Sequence, residues 1–306
     1  RLAFRMAYDA DPFNRWDALQ TASTTLIANA SQGKRWTSEE VDALRQALVD
    51  TIENAELDDA FKAQALDIPA ETVVARHIGH DVDPDAVARA RGDLIRELVG
   101  PIAEMLESQY KALAIKDVYS PDAAQAGRRS LRNGLLSLLT AGSERGAALA
   151  SAQYTGATNM TDRYAAMAIS ARHWTHSAQA ILGDFRTLYA GYPLVFDKWL
   201  TASALAPDFP KTNPNRLRSL LGSFVMSNPV QFARADGAGF RFVTEAVAEI
   251  DKVNPQVASR ILTGFRILPT LEAGRREAGR AALEALKSQH SLSRNVGEIL
   301  DRILQG

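Results

Sequence analysis

Six times along this chain an Asp, Asn or Ser stands directly before a proline: Asp11-Pro12, Asp83-Pro84, Ser120-Pro121, Asn213-Pro214, Asn228-Pro229 and Asn254-Pro255. Each pair reads as a helix start. The first side chain takes free backbone N–H groups, and the proline fills the first helical position, where its missing N–H costs nothing. Thr37 with Glu40 adds a capping box ahead of Val41, Leu44 and Leu48. Apolar residues recur at helical spacing between these starts. Leu94, Ile95, Leu98, Ile102, Met105 and Leu106 form one stripe, Leu131, Leu135, Leu138 and Leu139 a second, and Ile261, Leu262, Phe265 and Ile267 a third. The pattern predicts more than a dozen helices of about 10–20 residues with short connections. Short connections favour antiparallel neighbours. The expected fold is therefore all-α: a superhelical α-solenoid of armadillo- or HEAT-like stacked antiparallel helix pairs. No exact repeat period is visible, so this reading rests on element lengths.

The first nine residues break the helical pattern. Leu2, Phe4, Met6 and Tyr8 alternate with Ala3, Arg5 and Ala7, which is the period of a strand. A lone strand leaves its backbone groups unpaired. The segment reads as an orphan, the last strand of a β domain lying upstream, with an extended arm packed on the helices as the alternative. A first residue of Arg1 rather than Met agrees with an expected upstream portion.

Composition removes several function classes. Lys and Arg total 35 against 36 Asp and Glu, a formal net charge of -1. Binding nucleic acid by general electrostatics usually needs a clearly basic chain, so no nucleic-acid partner is expected. Cysteine is absent, which excludes disulfides, Cys-held zinc, iron–sulfur clusters and Cys nucleophiles. No run approaches the roughly 18–20 apolar residues of a membrane span, and no basic segment followed by an apolar core marks a signal peptide. No membrane partner is expected.

Several motifs imitate chemistry. His77-Ile78-Gly79-His80 spells a tetrapeptide of class I aminoacyl-tRNA synthetases, but no βαβ pattern surrounds it and it reads as chance. His173 and His176 are spaced to share a helix face, yet a zinc site needs about two more ligands, and they read as structural. Asp58-Asp59 resembles an aspartate-rich magnesium motif, but Lys62 stands where the third Asp belongs, and a solvated helix start fits better. Asn29-Ala30-Ser31 and Asn159-Met160-Thr161 fit the glycosylation pattern; Asn159 reads better as a helix cap with Asp162 in the first turn. The Gly237-Ala238-Gly239 loop is too short for a phosphate cradle. No G-x-x-x-x-G-K-[ST] or G-x-S-x-G occurs. The chain shows no self-contained catalytic constellation and no metal ligands.

One arrangement stands out. Arg216 and Arg218 follow Asn213-Pro214-Asn215 closely, and Arg260 lies one turn after Asn254-Pro255, with Gln256 four residues before it. Cations are mildly unfavourable at helix N-termini, whereas anions are favoured. Such arginines either pair with an acid, Asp236 and Glu245 being candidates, or join free N–H groups in an anion site.

The same segments carry a resemblance. Asp11-Pro12-Phe13-Asn14-Arg15-Trp16-Asp17-Ala18, Thr158-Asn159-Met160-Thr161-Asp162, Val195-Phe196-Asp197-Lys198-Trp199 and, most strongly, Asn213-Pro214-Asn215-Arg216-Leu217-Arg218-Ser219-Leu220-Leu221-Gly222-Ser223-Phe224 stand in order. Ser227-Asn228-Pro229, Asp236-Gly237-Ala238-Gly239-Phe240 and Asn254-Pro255-Gln256-Val257-Ala258-Ser259-Arg260 follow. In this order they cover nearly all of the chain, although residues 55–120 match only loosely. The series resembles the C-terminal helical domain of bacterial aminopeptidase N, a zinc metalloaminopeptidase. The resemblance implies that residues 1–10 end a preceding β-sandwich and residues 11–306 form the C-terminal α-helical domain. It implies that zinc, the general base and the site for the substrate's free amine lie upstream, that this chain is inactive alone, and that the full-length enzyme is cytoplasmic. The helical domain in that family caps the catalytic domain, encloses an internal cavity and controls peptide access. Carried over by motif, Arg218, Arg260 and Gln256 are the substrate-binding candidates, and Arg216 stays structural. Expected partners are the upstream catalytic and β-sandwich domains and peptide substrates. The alternative is a freestanding helical-repeat scaffold for protein–protein interaction. An all-α enzyme acting alone would need a convergent acid–base or metal cluster, and the sequence offers none.

Overall fold

The structure is a computed structural model that describes Met6, Asp9 and residues 11–204, 217–289 and 291–305, without the side chains of Leu217, Arg218, Ser219 and Gln289. The described residues form seventeen α-helices and two 3-10 segments. In chain order the α-helices are α1 (Pro12–Ser31), α2 (Ser38–Glu53), α3 (Asp59–Ala65), α4 (Glu71–Ile78), α5 (Pro84–Val99), α6 (Ala103–Ala112), α7 (Ala123–Gly142), α8 (Arg145–Gly156) and α9 (Met160–Arg172). They continue as α10 (Ala178–Tyr189), α11 (Pro193–Ser203), α12 (Leu217–Ser227), α13 (Pro229–Phe232), α14 (Ala238–Asp251), α15 (Pro255–Leu262), α16 (Ala273–Gln289) and α17 (Arg294–Gln305). The fold is all-α, as the sequence predicts. Among the described residues the only β pairing is a single parallel bridge between Val82 and Leu271. The N-terminal strand expected over residues 1–9 falls almost wholly outside the described residues; Met6 within it is helical and buried, not extended.

The caps explain most helix starts. The Asp11 carboxylate accepts the Phe13 N–H at 2.9 Å, Asn228 the Gln231 N–H at 3.3 Å and Asn254 the Val257 N–H at 3.1 Å. Both arms of the Thr37–Glu40 box form. Asp58 caps α3 through the Phe61 N–H, so the Asp58-Asp59 pair is a helix start, and Lys62 is buried with its Nζ on the Ile52 carbonyl. Ser120-Pro121 departs from the pattern. There α7 begins at Ala123, because the Asp122 carboxylate takes the Gln125 N–H and Ser120 Oγ accepts from Asp122 N. Asn213-Pro214 lies outside the described residues. The first apolar stripe is also not one helix. Pro101 lacks the N–H that would continue α5, and a 3-10 turn over Gly100–Ile102 intervenes before α6.

Two compact units divide the chain. The first comprises Arg1–Val74 and Ala86–Asp184. Within it α3 lies along α7, and α7, α8 and α9 pack on one another. Glycine permits the first contact: a Cβ on Gly127 would sit 3.1 Å from the Ala60 backbone nitrogen. Leu131, Leu135, Leu138 and Leu139 of α7 are buried as their spacing predicts. Polar groups share this interior. Gln153 donates to Asn133 Oδ1 at 2.7 Å, and Asn133 donates to the Asp162 carboxylate at 3.0 Å.

The second unit comprises Ala75–Asp85 and Phe185–Gly306. Its core is aromatic. Phe232, Phe240 and Phe265 are almost fully buried, with ring centroids 5.2–5.6 Å apart. Gly239 allows α13 to touch α14, since a Cβ there would lie 2.1 Å from the Gln231 carbonyl oxygen. This close approach accounts for the glycine at the end of Gly237-Ala238-Gly239. Gly237 itself caps α14 at φ +70°, a left-handed geometry that glycine adopts at no steric cost. The stripe of Ile261 and Leu262 runs on into a 3-10 segment, Thr263–Thr270, whose three-residue period buries Phe265 and Leu268. Arg275, 4% exposed, ties distant segments together. Its guanidinium donates to the Ala233 carbonyl and to Asp83, Asp85 and Glu272 at 2.6–3.2 Å.

Candidate functional site

The sequence nominates Arg218, Gln256 and Arg260, which sit on two helices of the second unit. These helices, α12 and α15, pack together, and the chain just after α15 presses on α12 where Gly264 faces Val225. Arg218 belongs to α12, but its side chain lies outside the described residues, as do Asn213, Pro214, Asn215 and Arg216 in full. Gln256 and Arg260 are both exposed, four residues apart and so on one face of α15. The opposite face of that helix buries Ala258, Ile261 and Leu262.

The geometry corrects one premise. Because α15 has only eight residues, Arg260 stands in its last turn, where the helix dipole favours a cation. The Asn254 side chain already takes a first-turn N–H. Arg260 therefore works with no free N–H groups of its own helix start. Arg260 has no ion pair among the described residues. Asp236 is engaged by Arg234 at 2.7 Å and accepts the Ala238 N–H at 3.0 Å, and Glu245 is exposed and unpaired among the described residues. The Arg234 guanidinium, then that N–H, hold the Asp236 carboxyl well below the usual carboxylate range. Arg260 is thus an exposed guanidinium whose donors have no partner among the described residues, on the same helix face as a side-chain amide.

The two histidines do not form a pair. His173 ends α9, Trp174 turns the chain at φ +44°, and exposed His176 sits in the following turn, off any helix. Burial, then Arg172 and Arg91, push the His173 imidazole down to about 4. It lines a cavity of about 480 Å³ with both arginines, and Glu71 bridges that pair at 3.2 Å from Arg172 and 3.9 Å from Arg91. His77 closes α4, and Gly79 at φ +82° takes the chain out of the helix, so the His-Ile-Gly-His run is a helix end. Asn159 caps α9 by accepting the Asp162 N–H. Among the described residues no three His, Asp or Glu side chains gather as metal ligands do. No motif marks the Arg91–Glu71–Arg172 group or the Arg275 cluster, whose members lie up to 192 residues apart.

Comparison with known proteins places this architecture. Residues 1–305 match the family described as a domain of unknown function (DUF3458_C) of ARM repeats. The chain is 32% identical to aminopeptidase N of Escherichia coli (strain K12), over 99% of this chain and 37% of that protein. It is 32% identical to aminopeptidase N of Caulobacter vibrioides, over 97% of this chain and 36% of that protein. The crystal structure of Legionella pneumophila aminopeptidase A in complex with aspartic acid shares the fold, with a TM-score of 0.84 at 21% identity over 99% of this chain and 38% of that one. The chain spans a little over a third of the length of the curated relatives it matches. The resemblance read from the ordered motifs is therefore borne out, and the chain belongs to the ARM-repeat family DUF3458_C.

Proposed function

We propose that this chain is the C-terminal helical domain of a zinc-dependent aminopeptidase that removes N-terminal residues from peptides. It caps the catalytic domain, encloses an internal cavity and controls peptide access, and the whole enzyme works in the bacterial cytoplasm. The observation that carries this reading is alignment of 99% of the chain with 37% of an aminopeptidase N. On this reading residues 1–10 end a β-sandwich, and zinc with its ligands and general base belongs to the catalytic domain upstream. That zinc supplies a water activated for attack on the peptide carbonyl. The present chain contributes binding.

Arg260 and Gln256, open on one face of α15, and Arg218 on the neighbouring α12 attract and orient the C-terminal side of a short peptide. A guanidinium with unpaired donors suits a carboxylate, which it can hold through two parallel N–H bonds. Changing Arg218→Ala and Arg260→Ala together in the full-length enzyme should raise KM for short peptides about tenfold, roughly 1.4 kcal/mol of binding. KM for single-residue amides, which have no C-terminal side to hold, should change less than about twofold. Equal effects on both substrate classes would remove the positioning role. An antibody against this chain should detect, in source cells, a polypeptide about three times the 33.3 kDa of the chain. Detection at 33.3 kDa alone would favour a freestanding scaffold.

A further inference from the structure

A second pair of arginines, in the first unit, points to a binding site that the peptide-positioning reading does not use. Arg129 and Arg132 lie one turn apart on α7 and line one cavity of about 340 Å³. Each guanidinium stacks on a tyrosine, Arg129 at 4.7 Å from the Tyr119 ring centre and Arg132 at 4.4 Å from that of Tyr110. Their hydrogen bonds go to neutral acceptors. Arg129 donates to Gln125 Oε1 at 3.1 Å and to the Ser120 carbonyl at 2.9 Å, and Arg132 donates to the Tyr110 hydroxyl at 2.9 Å. Neither makes an ion pair among the described residues. The Nε of Arg132 is buried with no partner among the described residues.

Arg129 is buried and Arg132 half-buried, and neither has a counter-charge at bonding distance among the described residues, which leaves an electrostatic demand. Stacking on tyrosine answers it only in part. Asp162 and exposed Asp117, at the cavity wall, answer it only at a distance: neither pairs with an arginine, and the two Asp162 carboxylate oxygens accept from the side-chain amides of Asn133 and Asn159 at 3.0 and 2.9 Å. That fixed negative charge also selects among anions. It repels a multiply charged phosphate and tolerates a single carboxylate, above all one whose other end carries an ammonium. The volume lies in the range of small-molecule sites.

We propose that the cavity between α7 and the α8–α9 turn binds a small monocarboxylate of amino-acid or dipeptide size, held by Arg132 and Arg129 with its polar tail toward Asp162. The site stands apart from the reading of Arg218 and Arg260 and does not depend on it.

Titration calorimetry on the full chain at constant ionic strength tests this, with acetate, glycylglycine and inorganic phosphate as probes. Glycylglycine should bind saturably at one site, more tightly than acetate, and phosphate most weakly. Arg132→Gln should weaken glycylglycine at least tenfold, and Arg132→Lys, which keeps the charge but not the planar fork, should fall between. Where Arg132→Gln lowers the melting temperature, Ala152→Phe serves instead, since it fills the cavity and leaves every charged residue in place; it should abolish binding. Absence of saturable carboxylate binding, tighter binding of phosphate, or unchanged affinity in either Arg132→Gln or Ala152→Phe would overturn the proposal.

Discussion

The two units of this chain are built on different interiors. In the second, Phe232, Phe240 and Phe265 fill the centre, Phe232 meeting the other two edge to face, and the charged residues of the Arg275 cluster lie at one place beside it. In the first, the leucine stripe of α7 shares its interior with Asn133, Gln153, Asp162 and Tyr110, which satisfy one another. The difference has a physical consequence. Apolar contacts need no particular partner, so such a core can close without voids. Polar groups demand directions, and each satisfied pair fixes a distance between helices. The polar interior is also where the two cavities with unusual charge arrangements lie, one beside His173 and the other beside Arg132.

The contrast is broken most directly at Phe232, which is 1% exposed and touches three other phenylalanine rings. Phe232→Ala should cost about 3–5 kcal/mol, the sum of lost transfer energy and the cavity left behind. Urea unfolding followed by circular dichroism measures it. A cost below about 1.5 kcal/mol would mean that the second unit collapses freely around the gap and is not held by the ring cluster. Asn133→Leu, at similar volume in the first unit, should cost about 2–3 kcal/mol. It removes little packing but leaves one Gln153 amide hydrogen and one Asp162 oxygen without a partner, Gln153 keeping its bond to the Asp162 carbonyl. Adding Gln153→Leu should then cost less than it does alone, because one orphaned group disappears with it. Strict additivity of the two changes would show that the network is a set of independent bonds.

Much of the fold could be read in advance, and the reason lies in local physics. A cap acts within three residues, so Asp11, Thr37, Asn159, Asn228 and Asn254 announce their helices whatever surrounds them. The rule failed at Ser120-Pro121 because Asp122, a better cap one residue beyond the proline, took the helix start. Arg260 lies on the helix its spacing predicts, but at the end with the opposite dipole. The apolar stripe through Phe265 suggested a long helix, whereas α15 ends at Leu262 and the 3-10 segment carries the stripe on. Nothing in the sequence marked Arg129, Arg132 or Arg275. Arg132 and Arg275 depend on partners distant in the sequence, and Arg129 on the course of the loop that brings Tyr119 and Ser120 back over it.

The smallest effect gives the sharpest separation of the two interiors. His173 belongs to the first unit, and burial with Arg172 and Arg91 nearby, against a weaker opposing pull from Glu71, lowers its folded-state value to about 4. An unfolded histidine titrates near 6.5. Between those two values the unfolded chain binds the extra proton and the folded chain does not, so stability falls as pH drops from about 6.5 to about 4 and this contribution levels off below. The imidazole is partly exposed, so solvent screening reduces the expected loss to about 1–2 kcal/mol. His173→Gln should shrink the difference in unfolding free energy between neutral and mildly acid solution by that amount. Acid-promoted hydrogen exchange should rise first in α9 and the helices packed on it, after correction for the intrinsic pH dependence of exchange. Equal acid sensitivity in the aromatic interior of the second unit would show instead that titration of surface carboxylates governs both, and that the buried imidazole adds nothing of its own.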